Sequence, residues 1–146
     1  RLRSPGPRCQ LIGAKLQGAG RIMAFDLSPE RLEEARRHGA TDVQVPDADV
    51  VQWIRDETDG YGADYTFEAT GLVKVMGQAV EAAREAWGQA TMCGVAGKGD
   101  TLDIVPRLLI TGRRVTGSSF ARSTLNRAPH RSKKRLAGRP SASTDA

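Results

Sequence analysis

The sequence is poor in the features that would commit it to several common protein classes. Its 146 residues include two cysteines, Cys9 and Cys93, too few for a disulfide framework or a cysteine-built zinc site. No stretch approaches the roughly 20 apolar residues that a membrane span requires. No apolar run follows the opening Arg1-Leu2-Arg3-Ser4-Pro5-Gly6, so a secretory signal is not expected. An initial Met is missing too, which points to a fragment or a truncated reading frame. The resulting expectation is a soluble, cytoplasmic chain with one small core.

Excess positive charge is also missing from most of the chain. The net charge is +5, yet residues 121–146 hold seven Lys/Arg against one Asp, while residues 1–120 hold fifteen Lys/Arg against sixteen Asp/Glu. The high pI therefore belongs to the tail. Residues 121–146 have almost no large apolar side chains, so they cannot bury enough surface to offset their ordering entropy. The expected organisation is an α/β unit over 1–120 and a disordered basic tail over 121–146.

What is present is the rhythm of βαβ units. A helix is predicted over Arg8–Gln17, a strand over Arg21–Phe25, and a helix capped by Ser28 with Pro29 at its first position. A strand at Asp42–Val45 follows, then a helix over Asp47–Thr58 with Val50, Trp53 and Ile54 inward. Next come a strand at Tyr65–Glu68, a helix from Leu72 to about Trp87, and a strand at Gln89–Val95. In that last helix Val73, Met76, Val80 and Ala83 recur at spacings of three and four. Leu102–Ile104 reads as a short edge strand, Pro106–Ile110 as a short helix and Arg114–Ser118 as a final strand.

Parallel strands present functional residues at their carboxyl ends. Asp26 stands at such an end, where an acid can accept hydrogen bonds from ribose hydroxyls and repel a 2′-phosphate. Position alone also allows a simpler role, capping a turn.

The stretch G-A-K-L-Q-G-A-G-R-I-M-A-F-D-L-S-P-E-R-L-E-E-A-R-R-H-G-A-T-D, Gly13 to Asp42, resembles the second βαβ segment of zinc-dependent medium-chain alcohol dehydrogenases. So do D-G-Y-G-A-D-Y-T-F-E-A-T-G (59–71), A-W-G-Q-A-T-M-C-G-V-A-G (86–97) and T-G-R-R-V-T-G-S-S-F (111–120). The W-G and T-G-R elements look most like the class III branch, the glutathione-dependent formaldehyde dehydrogenases, rather than polyol or threonine dehydrogenases. The resemblance implies a Rossmann-type doubly wound parallel sheet that binds NAD. It places Asp26 on the adenosine ribose with Arg31 beside it, and Ala69 and Thr70 along the adenine side of the groove. Gly71 turns the chain after the same strand. Gly94 and Val95 would face the nicotinamide ribose, and Ser118 and Phe120 the nicotinamide amide. Gly71 and Gly94 are equally well read as ordinary turn glycines.

The sequence departs from the family at the phosphate loop. A G-x-G-x-x-G turn lets backbone approach the pyrophosphate, but the best match, Ser4-Pro5-Gly6-Pro7-Arg8-Cys9, keeps only Gly6. Arg1-Leu2-Arg3 is no apolar strand, so the first and innermost strand is expected to be missing or corrupted. The sheet would then be incomplete, with two strand edges facing a gap. Loss of the pattern at both ends points to frame disruption.

In the intact family, a separate domain holds a zinc that polarises the alcohol while hydride passes to NAD. None of its ligands can be matched here. His38, His130 and Cys93 lack metal-ligand spacing, and Cys93 reads as a small buried residue. The expectation is an NAD-binding half, inactive alone, with a homodimer contact implied along Arg114–Ser118. The alternative is a non-catalytic protein binding nucleic acid or anions through Arg131, Lys133, Lys134 and Arg135, although no aromatic residue interleaves those charges.

Overall fold

The computed structural model describes residues 8–46 and 49–118. Along them run α1 (Arg8–Leu16), β1 (Met23–Phe25), α2 (Pro29–Arg37), β2 (Asp42–Gln44), α3 (Val50–Asp56), β3 (Tyr65–Glu68), α4 (Val73–Ala82), β4 (Gln89–Met92), α5 (Pro106–Ile110) and β5 (Arg114–Gly117). Gly6, Phe120 and the whole 121–146 segment lie outside the described residues.

Local chemistry explains most of these elements. The Ser28 side chain accepts from the Arg31 amide, Pro29 opens α2, and Glu30 in its first turn and Arg36 and Arg37 in its last suit the helix dipole. Gly39, at φ +113°, then turns the chain, a backbone region that costs glycine little. Leu32 and Ala35 form the buried face of α2. In α3 the Asp49 side chain caps the Gln52 amide.

Among the described residues the strands form two parallel sheets, β1-β2 and β3-β4-β5. Met23 pairs with Asp42 in the first, and Tyr65, Gln89 and Arg114 stand abreast in the second. Among the described residues, β1 and β3 each keep one edge without a strand neighbour. Among the described residues this is an α/β fold with part of a Rossmann sheet; Arg1-Leu2-Arg3, where the first strand is expected to be lost, lies outside them. Apolar packing spans the division. Met23 and Phe25 of β1 pack with Val51 and Ile54 of α3, Ala82 of α4, and Ala63. Trp53 meets Phe25 edge to face, with ring centroids 5.4 Å apart, a favoured aromatic arrangement.

Several predicted bounds are corrected. Helix α4 stops at Ala82, not near Trp87, because the backbone turns to meet another segment. Ala63 donates to the Ala82 carbonyl and Arg84 donates to the Ala63 carbonyl, so residues 82–84 pair sideways instead of continuing the helix. On α3, the expected inward residues Val50, Trp53 and Ile54 do pack in the core, and Val51 joins them, buried with Ile54. Strand β4 ends at Met92 because the next two amides, Cys93 and Gly94, both turn to the Glu68 carbonyl. Residues 102–104 form no strand; Ile104 instead packs with Leu108 against Val80, Ala83 and Ala90.

Candidate cofactor-binding site

Because β3, β4 and β5 are parallel and in register, residues 69–71, 94–95 and 118 lie at one end of their sheet. Asp26 follows β1 at the corresponding end of the other sheet. Its side chain is 24% exposed, with Oδ2 3.5 Å from Arg31 Nη1. Asp26 Oδ1 accepts from the Ser28 amide at 2.9 Å. The turn-capping role thus uses one oxygen, and the other faces Arg31. Leu27, beside it, is an exposed apolar side chain.

The loops after β3 and β4 are built around a residue that the sequence reading passed over. Glu68, the last residue of β3, is 1% exposed. Its Oε1 accepts from the Thr70 amide (2.5 Å), the Thr70 hydroxyl (2.5 Å) and the Gly71 amide (2.9 Å). The Glu68 carbonyl meanwhile accepts from Cys93 (2.7 Å) and Gly94 (3.0 Å). Thr70 Oγ1 then accepts from the Leu72 amide at 3.1 Å, serving one of the donors that open α4.

The two loops also touch. Gly71 has φ +81°, and a Cβ there would fall 2.4 Å from the Val95 carbonyl oxygen. Ala69, Thr70, Leu72 and Val95 remain exposed around this contact, with Val95 91% exposed. Ser118, exposed after β5, donates its amide to the Met92 carbonyl. The structure therefore brings Ala69, Thr70, Gly71, Gly94, Val95 and Ser118 to one sheet end, and Asp26 and Arg31 to the other sheet's.

No group of three or more His, Cys, Asp or Glu side chains able to hold a metal occurs among the described residues. Cys93 is half-buried just beyond β4, with its thiol 3.9 Å from the Thr91 carbonyl. His38 caps the end of α2 with Nε2 4.0 Å from Glu34 Oε1. His130 and the four tail cations lie outside the described residues. No helix among the described residues is long and apolar enough to cross a membrane.

The opposite, amino ends of the first strands carry a charge cluster. Arg21 donates to both carboxylate oxygens of Asp42, each at 2.9 Å, and to the Glu57 carboxylate at 2.6 Å. Hydrogen bonds from Arg21 and Thr41 hold the Asp42 carboxyl down at about 2, below the usual 3.8. Donating to the Asp42 and Glu57 carboxylates pushes the Arg21 guanidinium further up. This cluster is structural and lies at the end away from the candidate site.

A family profile described as Zinc-binding dehydrogenase matches residues 9–133. The chain belongs to this family. The match runs past residue 120, into the segment where no likeness is expected from the sequence reading. The chain is 42% identical over 113 residues to alcohol dehydrogenase class-3 of Myxine glutinosa, covering 75% of this chain and 30% of that protein. It is 44% identical over 111 residues to S-(hydroxymethyl)glutathione dehydrogenase of Escherichia coli, covering 74% and 30%. A zinc-binding-domain alcohol dehydrogenase structure from Burkholderia ambifaria superposes with TM-score 0.70 at 32% identity, covering 76% and 30%. The chain is thus closely related to class III enzymes and spans about three-tenths of their length. It covers the nucleotide-binding region of a zinc-type alcohol dehydrogenase. The nucleic-acid alternative gains no support from these relatives.

Proposed function

We propose that this chain binds NAD across the carboxyl ends of its two sheets, as the cofactor-holding part of a class III-like alcohol dehydrogenase. The observation that carries the reading is Asp26. It is an acid at a strand end, half-buried, with Oδ2 turned to Arg31 and away from the turn that Oδ1 caps. An acid so placed suits ribose hydroxyls and disfavours a 2′-phosphate, hence NAD over NADP. Ala69, Thr70, Gly71, Gly94, Val95 and Ser118 supply main-chain and small surfaces that a flat cofactor can approach, with Gly6 and Phe120 completing the set.

When bound, NAD supplies a hydride acceptor at its nicotinamide ring. This chain's residues bind and orient it; the zinc that polarises an alcohol in the intact family would need ligands from elsewhere. The chain alone is therefore expected to bind without catalysing. The exposed edge strand β5 offers a surface for a second copy, a homodimer of the kind the family resemblance implies.

Calorimetric titration of NAD and NADP tests the reading. NAD is expected to bind more tightly than NADP, and Asp26→Ala to weaken NAD by about tenfold, the scale of one charge-assisted hydrogen bond. Failure of the unsubstituted chain to bind NAD at millimolar concentration would sink it.

A further inference from the structure

Glu68 is the one buried side chain among the described residues with an unpartnered polar atom, Oε2. A buried carboxylate is costly unless its hydrogen bonds are arranged well. Here the arrangement is lopsided. Oε1 takes three donors from residues two and three positions on, namely both Thr70 donors and the Gly71 amide. Oε2 points at Gly94, where a Cβ would lie 2.6 Å from it. The same residue's carbonyl holds Cys93 and Gly94. One side chain and its own peptide group thus fix two loops from two strands.

A leucine would fill similar volume and keep the backbone bonds to Cys93 and Gly94. It would leave the Thr70 and Gly71 amides without their acceptor, whereas glutamine would keep a carbonyl for them. The need at this position is therefore an acceptor of particular reach, beyond apolar bulk.

We infer that Glu68 is the positioning residue of the cofactor cleft, setting loops 69–71 and 93–95 as one unit without touching the cofactor. This rests on the NAD reading above. Its carboxylate holds the first loop, its carbonyl holds the second, and the contact of Gly71 with Gly94 and Val95 transmits each to the other. Disturbing the carboxylate alone then loosens both loops, including the one bonded only through the backbone.

The test uses the full chain with Glu68→Leu, Glu68→Gln and Asp26→Ala, read by amide hydrogen exchange and by NAD titration. Glu68→Leu is expected to speed exchange in both loops at least tenfold and weaken NAD about tenfold or more. Exchange in α2 should stay unchanged. Glu68→Gln should restore NAD affinity to within about threefold, since it keeps the acceptor. Asp26→Ala should weaken NAD while leaving loop exchange alone, separating the ribose contact from loop positioning. If the unsubstituted chain binds no NAD, the cofactor reading fails, and loop exchange still decides the role of Glu68 in holding the loops. Unchanged exchange and affinity in Glu68→Leu would overturn the inference, as would α2 loosening equally with the loops. If Glu68→Leu does not fold, Glu68→Gln decides: loss of NAD binding with undisturbed loops would overturn the inference.

Discussion

Gly94 stands so close to Gly71 that a Cβ on Gly94 would lie 2.2 Å from the Gly71 amide nitrogen and 2.7 Å from its Cα. The obstruction is backbone on a bonded loop, not the end of a flexible side chain. Gly94→Ala should therefore cost about 1–3 kcal/mol, the range for overpacking a close contact. Gly71→Ala combines a similar clash with a left-handed backbone, φ +81°, and should cost at least as much. Urea unfolding of both variants checks the order. A Gly94→Ala midpoint equal to the parent's would show that the two loops do not meet.

The charge cluster at the other end predicts a pH dependence. Folding favours the charged form of Asp42, whose carboxyl is held at about 2 against the usual 3.8. Its contribution is complete above 3.8 and disappears as pH falls through about 2. Arg21 and, more weakly, Arg36 are the charged groups that bear on this carboxyl. Arg21 is open to solvent, so the effect is modest and screened by salt. Stability measured from pH 5 to pH 2 should fall less steeply in Asp42→Asn than in the parent. Parallel curves would remove Asp42 from the account.

Arg113 gives a third prediction. Its side chain is 6% exposed, and its Nε donates to the Ala83 carbonyl at 2.7 Å while Nη1 donates to Thr111 Oγ1 at 2.8 Å. These bonds tie the turn after α4 to the segment entering β5. Lysine has no planar fork and can serve one direction at a time. Arg113→Lys should cost about 1 kcal/mol and Arg113→Leu about 2 kcal/mol or more, since leucine leaves a buried carbonyl short of a partner. Denaturant midpoints would reveal the difference; equal stability of all three proteins would contradict it.

Local signals in the sequence account for much of this fold. Helix α5 runs over Pro106–Ile110 as predicted, with Pro106 at its first position, and the run Tyr65–Glu68 is β3 at its stated bounds. Misreadings arose where distant backbone intervened. Residues 83–87 continue a helical pattern, but Ala63 claims the peptide groups beside Ala83. Glu68 was invisible for a related reason. A carboxylate at a strand end reads as a surface group, and its donors are the backbone amides of the loop it begins. Asp26 was legible because strand, acid, cap and proline occur consecutively.

The division of the sheet yields a last prediction. Among the described residues β1 and β3 lie in different sheets, and side-chain packing on α3 joins the first sheet to the rest. The Phe25–Trp53 contact, 5.4 Å between ring centroids at an interplanar angle of 84°, is part of that packing. Trp53 is only half-buried, so Trp53→Ala should cost less than the full large-to-small penalty, about 2 kcal/mol. The loss should be uneven. Hydrogen exchange in β1 and β2 should quicken, while β3, β4 and β5, paired along their full lengths, keep their protection. Trp53→Phe should retain most of the contact and show an intermediate effect. Uniform loss of protection across all five strands would mean that the two sheets unfold as one unit and that packing at Trp53 does not join separable parts.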